Sequence, residues 1–114
     1  MPALKPQASY DDFARLDIRI GRVVDVQPFS RARNPSYKVG VEIGAGRIMW
    51  SSAQITNYEP AALLGSLVVC VCNLAAKNIA GFTSELLILG AKDAAGNVII
   101  RGPRSEVAIG EPVF

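Results

Sequence analysis

Apolar residues in this chain alternate with polar ones over short runs, and nowhere do they sustain the 3.6-residue repeat of a long helix. The cleanest run is Tyr37 to Ile43. Tyr37, Val39, Val41 and Ile43 point one way, and Lys38, Gly40 and Glu42 point the other, as in a strand with one buried face. Gly44-Ala45-Gly46 turns the chain, and Arg47 to Ser51 returns with Ile48 and Trp50 on one face. This pattern predicts a β-hairpin. Tyr37 and Trp50 are in phase with core aliphatics, so a core position is expected for both.

Other runs read the same way. Asp17 to Val26 alternates until Gly21, where a bulge or bend is expected. Pro28 to Pro35 is a loop that carries Arg31 and Arg33. Leu67 to Asn73 and Leu86 to Leu89 are apolar on both faces. Such strands need a core on one side and a helix or another subunit on the other. Val98 to Ile100 follows an Ala-Gly-Asn turn and closes the main body. Val107 to Phe114 ends apolar and is expected to pack. Helices are confined to short turns. Ser9 and Asp12 resemble a capping box before Tyr10–Ala14, with Phe13 and Leu16 placed to cover one end of a barrel. Pro60 opens a second turn that Gly65 ends. Many short strands with regular turns predict a barrel or sandwich. At 114 residues the chain accommodates one domain, taken as residues 9–114 after a loose tail at 1–8.

The composition removes most catalytic classes. The chain has no His, which takes away the commonest general base and metal ligand. Its two cysteines, Cys70 and Cys72, lie on one side of a strand and read as buried, reduced thiols. Neither GxGxxG nor GxxxxGK[ST] occurs. Asp11 and Asp12 suit a helix start better than acid–base chemistry. Ser51, Ser52 and Ser84 would need Lys77 as base. No catalytic residue, metal or cofactor is expected, and the chain is read as a binding protein, not an enzyme. The longest apolar stretch, Leu67 to Cys72, is too short to cross a bilayer. The start lacks an apolar signal segment, so a cytoplasmic location without membrane insertion is expected. Arg31, Arg33, Lys38, Arg47 and Lys77 lie on loops or polar strand faces and could hold phosphates. Phe82, between Gly81 and Thr83, is a candidate exposed aromatic.

Four segments resemble a known family: FARLDIRIGRVV at 13–24, YKVGVEIG at 37–44, SSAQIT at 51–56 and NLAAKNIAGFTSELLILG at 73–90. They are similar to the OB-fold tRNA-binding module of small bacterial tRNA-binding proteins, of methionyl-tRNA synthetase C-terminal regions and of the endothelial monocyte-activating polypeptide. SSAQIT points within that family to the CsaA-type bacterial export chaperones. The resemblance implies an all-β fold: an OB-fold five-stranded barrel with a short N-terminal helix, extra helical turns and terminal strands. It implies a homodimer paired through terminal regions and flanking strands.

Two functions follow from the resemblance. The CsaA branch binds unfolded or presecretory polypeptides in connection with the protein-export machinery, which would place Trp50, Ile79 and Phe82 near a peptide groove. The wider family binds tRNA, which would turn Arg33, Lys38, Asn73, Lys77 and Ser84 toward RNA. A third implication is an accessory subunit of an aminoacyl-tRNA synthetase. One departure bears on the choice. Family members usually carry Pro-Arg-Lys or Pro-Arg-Arg where this chain has Ala75-Ala76-Lys77-Asn78, so a phosphate contact is lost.

Overall fold

One long strand organises the chain in the computed structural model, which describes residues 2–114. That strand is β1 (Ile18–Pro28), preceded by α1 (Tyr10–Ala14). After it come β2 (Tyr37–Glu42), β3 (Ile48–Ala53), α2 (Pro60–Leu63), β4 (Leu67–Val71), β5 (Lys77–Ile79), β6 (Phe82–Ser84), β7 (Leu87–Ile88), β8 (Gly90–Lys92) and β9 (Val98–Ile100). The first half of β1 pairs with β4 and its second half with β2, both antiparallel. The sheet runs β3-β2-β1-β4-β7. Its two edges meet at Trp50, whose carbonyl accepts from the Glu85 and Leu86 N–H groups at 2.9 and 3.2 Å. The result is the nearly closed five-strand barrel that the resemblance implies.

A strand that serves two neighbours in turn must coil, and β1 does so at Val24, where the register with β2 shifts. The bulge is not at Gly21, as the sequence suggested. Gly21 has another role: a Cβ there would lie 2.4 Å from Val41 Cγ1 and 3.2 Å from Cys70 Sγ. Glycine is needed for close approach across the barrel. The core gathers Val23, Val39, Val41, Met49, Val68, Cys70 and Leu86. Leu63 of α2, fully buried, packs among them, and Pro60 starts its helix at a position where no N–H is needed.

Trp50 is not a core residue. Val41 pairs with Met49 and Val39 with Ser51, so these four share the inner face, while Ile48, Trp50 and Ser52 face out. Trp50 lies opposite Gly40, where a Cβ would come within 3.1 Å of the indole. The missing side chain makes room for the ring. Tyr37 keeps its inward position and donates its hydroxyl to the Tyr58 carbonyl at 2.9 Å.

The termini differ from expectation in one respect. The capping box of α1 forms as read, but the helix buries no residue, and Tyr10, Phe13 and Leu16 are 75%, 39% and 40% exposed. Each keeps an apolar surface open to solvent. The C-terminal segment does pack: Gly110 N–H donates to the Ile20 carbonyl at 2.7 Å and Val113 N–H to that of Ile18 at 2.8 Å. On β4, Val68 and Cys70 are buried while Leu67 and Val69 are only half-buried, so its outward side is partly open.

Two hairpin turns share one chemistry. Ala45 and Gly46 have φ of 53° and 74°, and Ala80 and Gly81 have 48° and 86°. Positive φ at both central residues is the type I′ turn, which matches strand twist and prefers Asn-Gly. Alanine there carries a left-handed penalty that asparagine lessens. Ala80→Asn is therefore expected to stabilise the protein by about 0.5–1 kcal/mol. A thermal melt checks this, and an unchanged or lower Tm would contradict the turn assignment.

Candidate binding groove

The hairpin register decides which side chains meet outside the barrel. Lys38 on β2 faces out beside Trp50 on β3, because Lys38 pairs with Ser52 and Gly40 with Trp50. Gln27 of β1 lies opposite Lys38 on the other side. The loop after β1 folds Phe29 back, its N–H donating to the Ser36 carbonyl at 3.2 Å. The β5–β6 hairpin delivers Phe82, since the turn at Ala80-Gly81 places it at the start of β6. A hydrogen bond from Gly81 N–H to Asn78 Oδ1 at 3.0 Å fixes that turn.

These residues form one cluster. The Phe29 and Phe82 rings meet edge to face at 5.4 Å, and Trp50 and Phe82 do so at 6.4 Å. Lys38 Nζ stands 4.9 Å from the Phe29 centroid and 5.1 Å from that of Phe82. A cation held against two ring faces gains from the ring quadrupoles and keeps its donors for a ligand. Two clefts share Lys38 and Phe82. One, of about 240 Å³, is walled by Pro28, Phe29, Arg31 and Gly81. The other, of about 420 Å³, is walled by Gln27, Trp50, Thr83 and Glu85. Together they make a groove with an aromatic floor, cations at one end and a carboxylate at the other.

A third cleft, of about 240 Å³, opens behind the β5–β6 hairpin and is lined by Leu74, Lys77, Ile79, Ser84 and Leu87 among others. Ser84 Oγ accepts from the Ser52 N–H at 3.0 Å and so ties the hairpin to β3.

Lys38, Trp50 and Phe82 thus come together, and Lys77, Ile79 and Ser84 gather across the hairpin from them. Arg33 points to the far side of its loop, where it lines a shallow cleft with Pro35 and Thr56. Arg31 reaches the groove instead. Asn73 stands elsewhere: its Oδ1 accepts from Asp17 N–H and its Nδ2 donates to the Arg15 carbonyl, both at 2.8 Å, which anchors the end of α1. Phe29, Gln27 and Glu85 were not singled out from sequence. Strand pairing and loop folding bring them in, and no local sequence pattern pointed to them. Among the described residues, no group of three or more His, Cys, Asp or Glu side chains is placed to hold a metal. No helix among them is long and apolar enough to cross a membrane.

Comparison with known proteins gives a consistent picture. Residues 18–112 match the family model described as "Putative tRNA binding domain". Two solved structures match nearly end to end. The CsaA chaperone protein from Picrophilus torridus is 36% identical, with a TM-score of 0.89 over 95% of this chain and 100% of that one. The chaperone CsaA from Bacillus anthracis str. Ames is 38% identical, with a TM-score of 0.88 over 95% and 99%. Among curated relatives, the methionine–tRNA ligase of Deinococcus radiodurans is 36% identical over 105 residues, which are 92% of this chain and 15% of the ligase. The ligase of Chloroherpeton thalassium is 29% identical over 110 residues, 16% of its length. The chain therefore spans about 15–16% of the ligases it matches.

Proposed function

This chain belongs to the tRNA-binding domain family, and on that premise we propose that it is a homodimeric, non-catalytic binding protein for unfolded or presecretory polypeptides. The observation that carries this reading is the Phe29–Lys38–Trp50–Phe82 cluster. An extended peptide offers apolar side chains and unpaired carbonyls together. The aromatic floor takes the first, and Lys38 and Arg31 donate to the second. Aromatic walls interleaved with polar side chains suit many sequences. Two chaperones of the same size, similar over nearly their whole length, support the choice. The exposed apolar surface of Tyr10 and Phe13 on α1 and of Leu16 just after it supports pairing of two copies. The proposed setting is the cytoplasm, where clients await the export machinery.

The second reading, tRNA binding, is favoured by the family match and by the exposed Arg31, Arg33 and Lys77. Against it, the net charge is only +2, the cations are spread over separate clefts, and Glu85 lies in the groove. Docking on a synthetase as an accessory subunit is the remaining proposal, suggested by the ligase relatives.

Trp50 is the only tryptophan and forms a groove wall, so its fluorescence reports directly on occupancy. Titration with a reduced, alkylated polypeptide that stays unfolded is expected to shift Trp50 emission saturably, and the folded form of that polypeptide is not. Binding seen by another method with Trp50 unmoved would place the site elsewhere.

A further inference from the structure

Another cleft lies away from the groove, at the end of the barrel below the β2–β3 turn. It holds about 480 Å³ and is lined by Asp17, Arg19, Gly44, Arg47, Met49, Cys72 and neighbouring backbone. Cys72 is half-buried there, while Cys70 is fully buried behind it. Their sulfurs are 4.0 Å apart, and neither is in a disulfide. Sequence suggested two equivalent buried thiols, but Cys72 borders an open, positively charged cleft.

The surroundings divide the roles. Cys70 sits in the core against Val68 and Met49, and its Sγ lies 3.4 Å from the Arg19 carbonyl. The contact with Cys72 and burial push its thiol far above the ordinary range. It stays protonated, with its S–H directed at the Arg19 carbonyl. The hydrogen-bonding contact between the two sulfurs holds Cys72 below the ordinary thiol range, with Arg19 and Arg47 helping and burial and Asp17 opposing. Arg19 is held by Asp17 at 2.8 Å, whereas Arg47 is exposed and forms no ion pair among the described residues. The cleft thus sets one nucleophilic sulfur beside one unengaged guanidinium.

We propose that Cys72 is a site of thiolation by small, carboxylate-bearing disulfides, with Arg47 recognising the carboxylate. Cys72 thiolate attacks one sulfur of the disulfide R–S–S–R. A new bond forms between Cys72 Sγ and that sulfur, the original S–S bond breaks, and the leaving thiolate takes the electron pair and then a proton from water. The disulfide is the oxidant and one of its halves is the reduced product. Because Cys70 is buried and keeps its proton, it is a poor attacker of the mixed disulfide, which therefore persists until an external thiol removes it.

The test uses the full chain under native conditions with two probes, oxidised glutathione and the neutral 2-hydroxyethyl disulfide, read by intact mass and peptide mapping. One adduct at Cys72 is expected, absent in Cys72→Ser. Its rate should follow a titration lying below that of an ordinary thiol, and Cys70→Ala should move that titration upward. Arg47→Gln, a surface change, should slow reaction with oxidised glutathione by about fivefold and leave the neutral disulfide unaffected. An adduct on Cys70, no adduct on the folded protein, or equal slowing of both probes by Arg47→Gln would overturn the proposal.

Discussion

Phe82→Ala is expected to weaken binding of an unfolded polypeptide by about thirtyfold or more while the protein remains folded. Phe82 is the one ring that touches every other member of the cluster: Phe29, Trp50 and Lys38. It also walls both clefts of the groove. Truncating such a central aromatic costs about 2 kcal/mol or more of binding, which is the stated factor. Phe82 lies outside the barrel core, so the loss of stability should stay near about 1 kcal/mol. Anisotropy of a labelled unfolded polypeptide measures the affinity, and a thermal melt verifies the fold. Lys38→Met is the informative companion, since it keeps the stem against the rings and removes the charge. A peptide groove should lose less from Lys38→Met than from Phe82→Ala, and a phosphate-binding face should lose more. Unchanged affinity in Phe82→Ala would remove the groove from the account.

Gly21→Ala is expected to cost about 2–3 kcal/mol of stability, an overpacking penalty. The added methyl would meet Val41 Cγ1 at 2.4 Å, the Glu42 carbonyl at 3.1 Å and Cys70 Sγ at 3.2 Å. Val41 and Cys70 are both fully buried, and the carbonyl belongs to a paired strand, so none of the three has free space to retreat into. At about 4 °C per kcal/mol for a chain of this size, Tm should fall by about 10 °C. Denaturant unfolding gives the same quantity independently. A change below about 0.5 kcal/mol, the range of an ordinary surface substitution, would show that β1 does not cross the barrel this closely.

The contrast between Gly21 and Trp50 shows what could be read from the sequence and what could not. Alternation over Tyr37–Ile43, the turn at Gly44–Gly46 and the caps at Ser9 and Pro60 are local signals, and each element formed where expected. The faces of β3 were ambiguous, because Ile48-Met49-Trp50-Ser51 supports either phase. The Gly44-Ala45-Gly46 connection, with all three residues at positive φ, fixes the register, and a one-residue slip would exchange the two faces. The larger aromatic went outward and Ser51 inward, against the usual expectation from hydrophobicity. Gly21 was visible as an anomaly, but the partner that demands it, Val41, lies 20 positions away in sequence. The groove was hidden for the same reason. It joins a loop, three strands and a distant hairpin, and no periodicity links Phe29 to Phe82. The resemblance to a family carried the barrel as a whole, and coordinates were needed to sort Arg31 from Arg33 and to find Asn73 engaged with Arg15 and Asp17.

We propose that the groove holds polypeptide through aromatic contacts more than it holds nucleic acid through charge. Titrations of purified protein against an unfolded polypeptide and against folded tRNA, each at about 50 and 200 mM salt, test it directly, because multiple phosphate contacts lose affinity many-fold over that range. The account predicts polypeptide binding that changes little with salt, and tRNA binding that is weak throughout. Tight tRNA binding that collapses at the higher salt, with no measurable polypeptide binding at either, would contradict it.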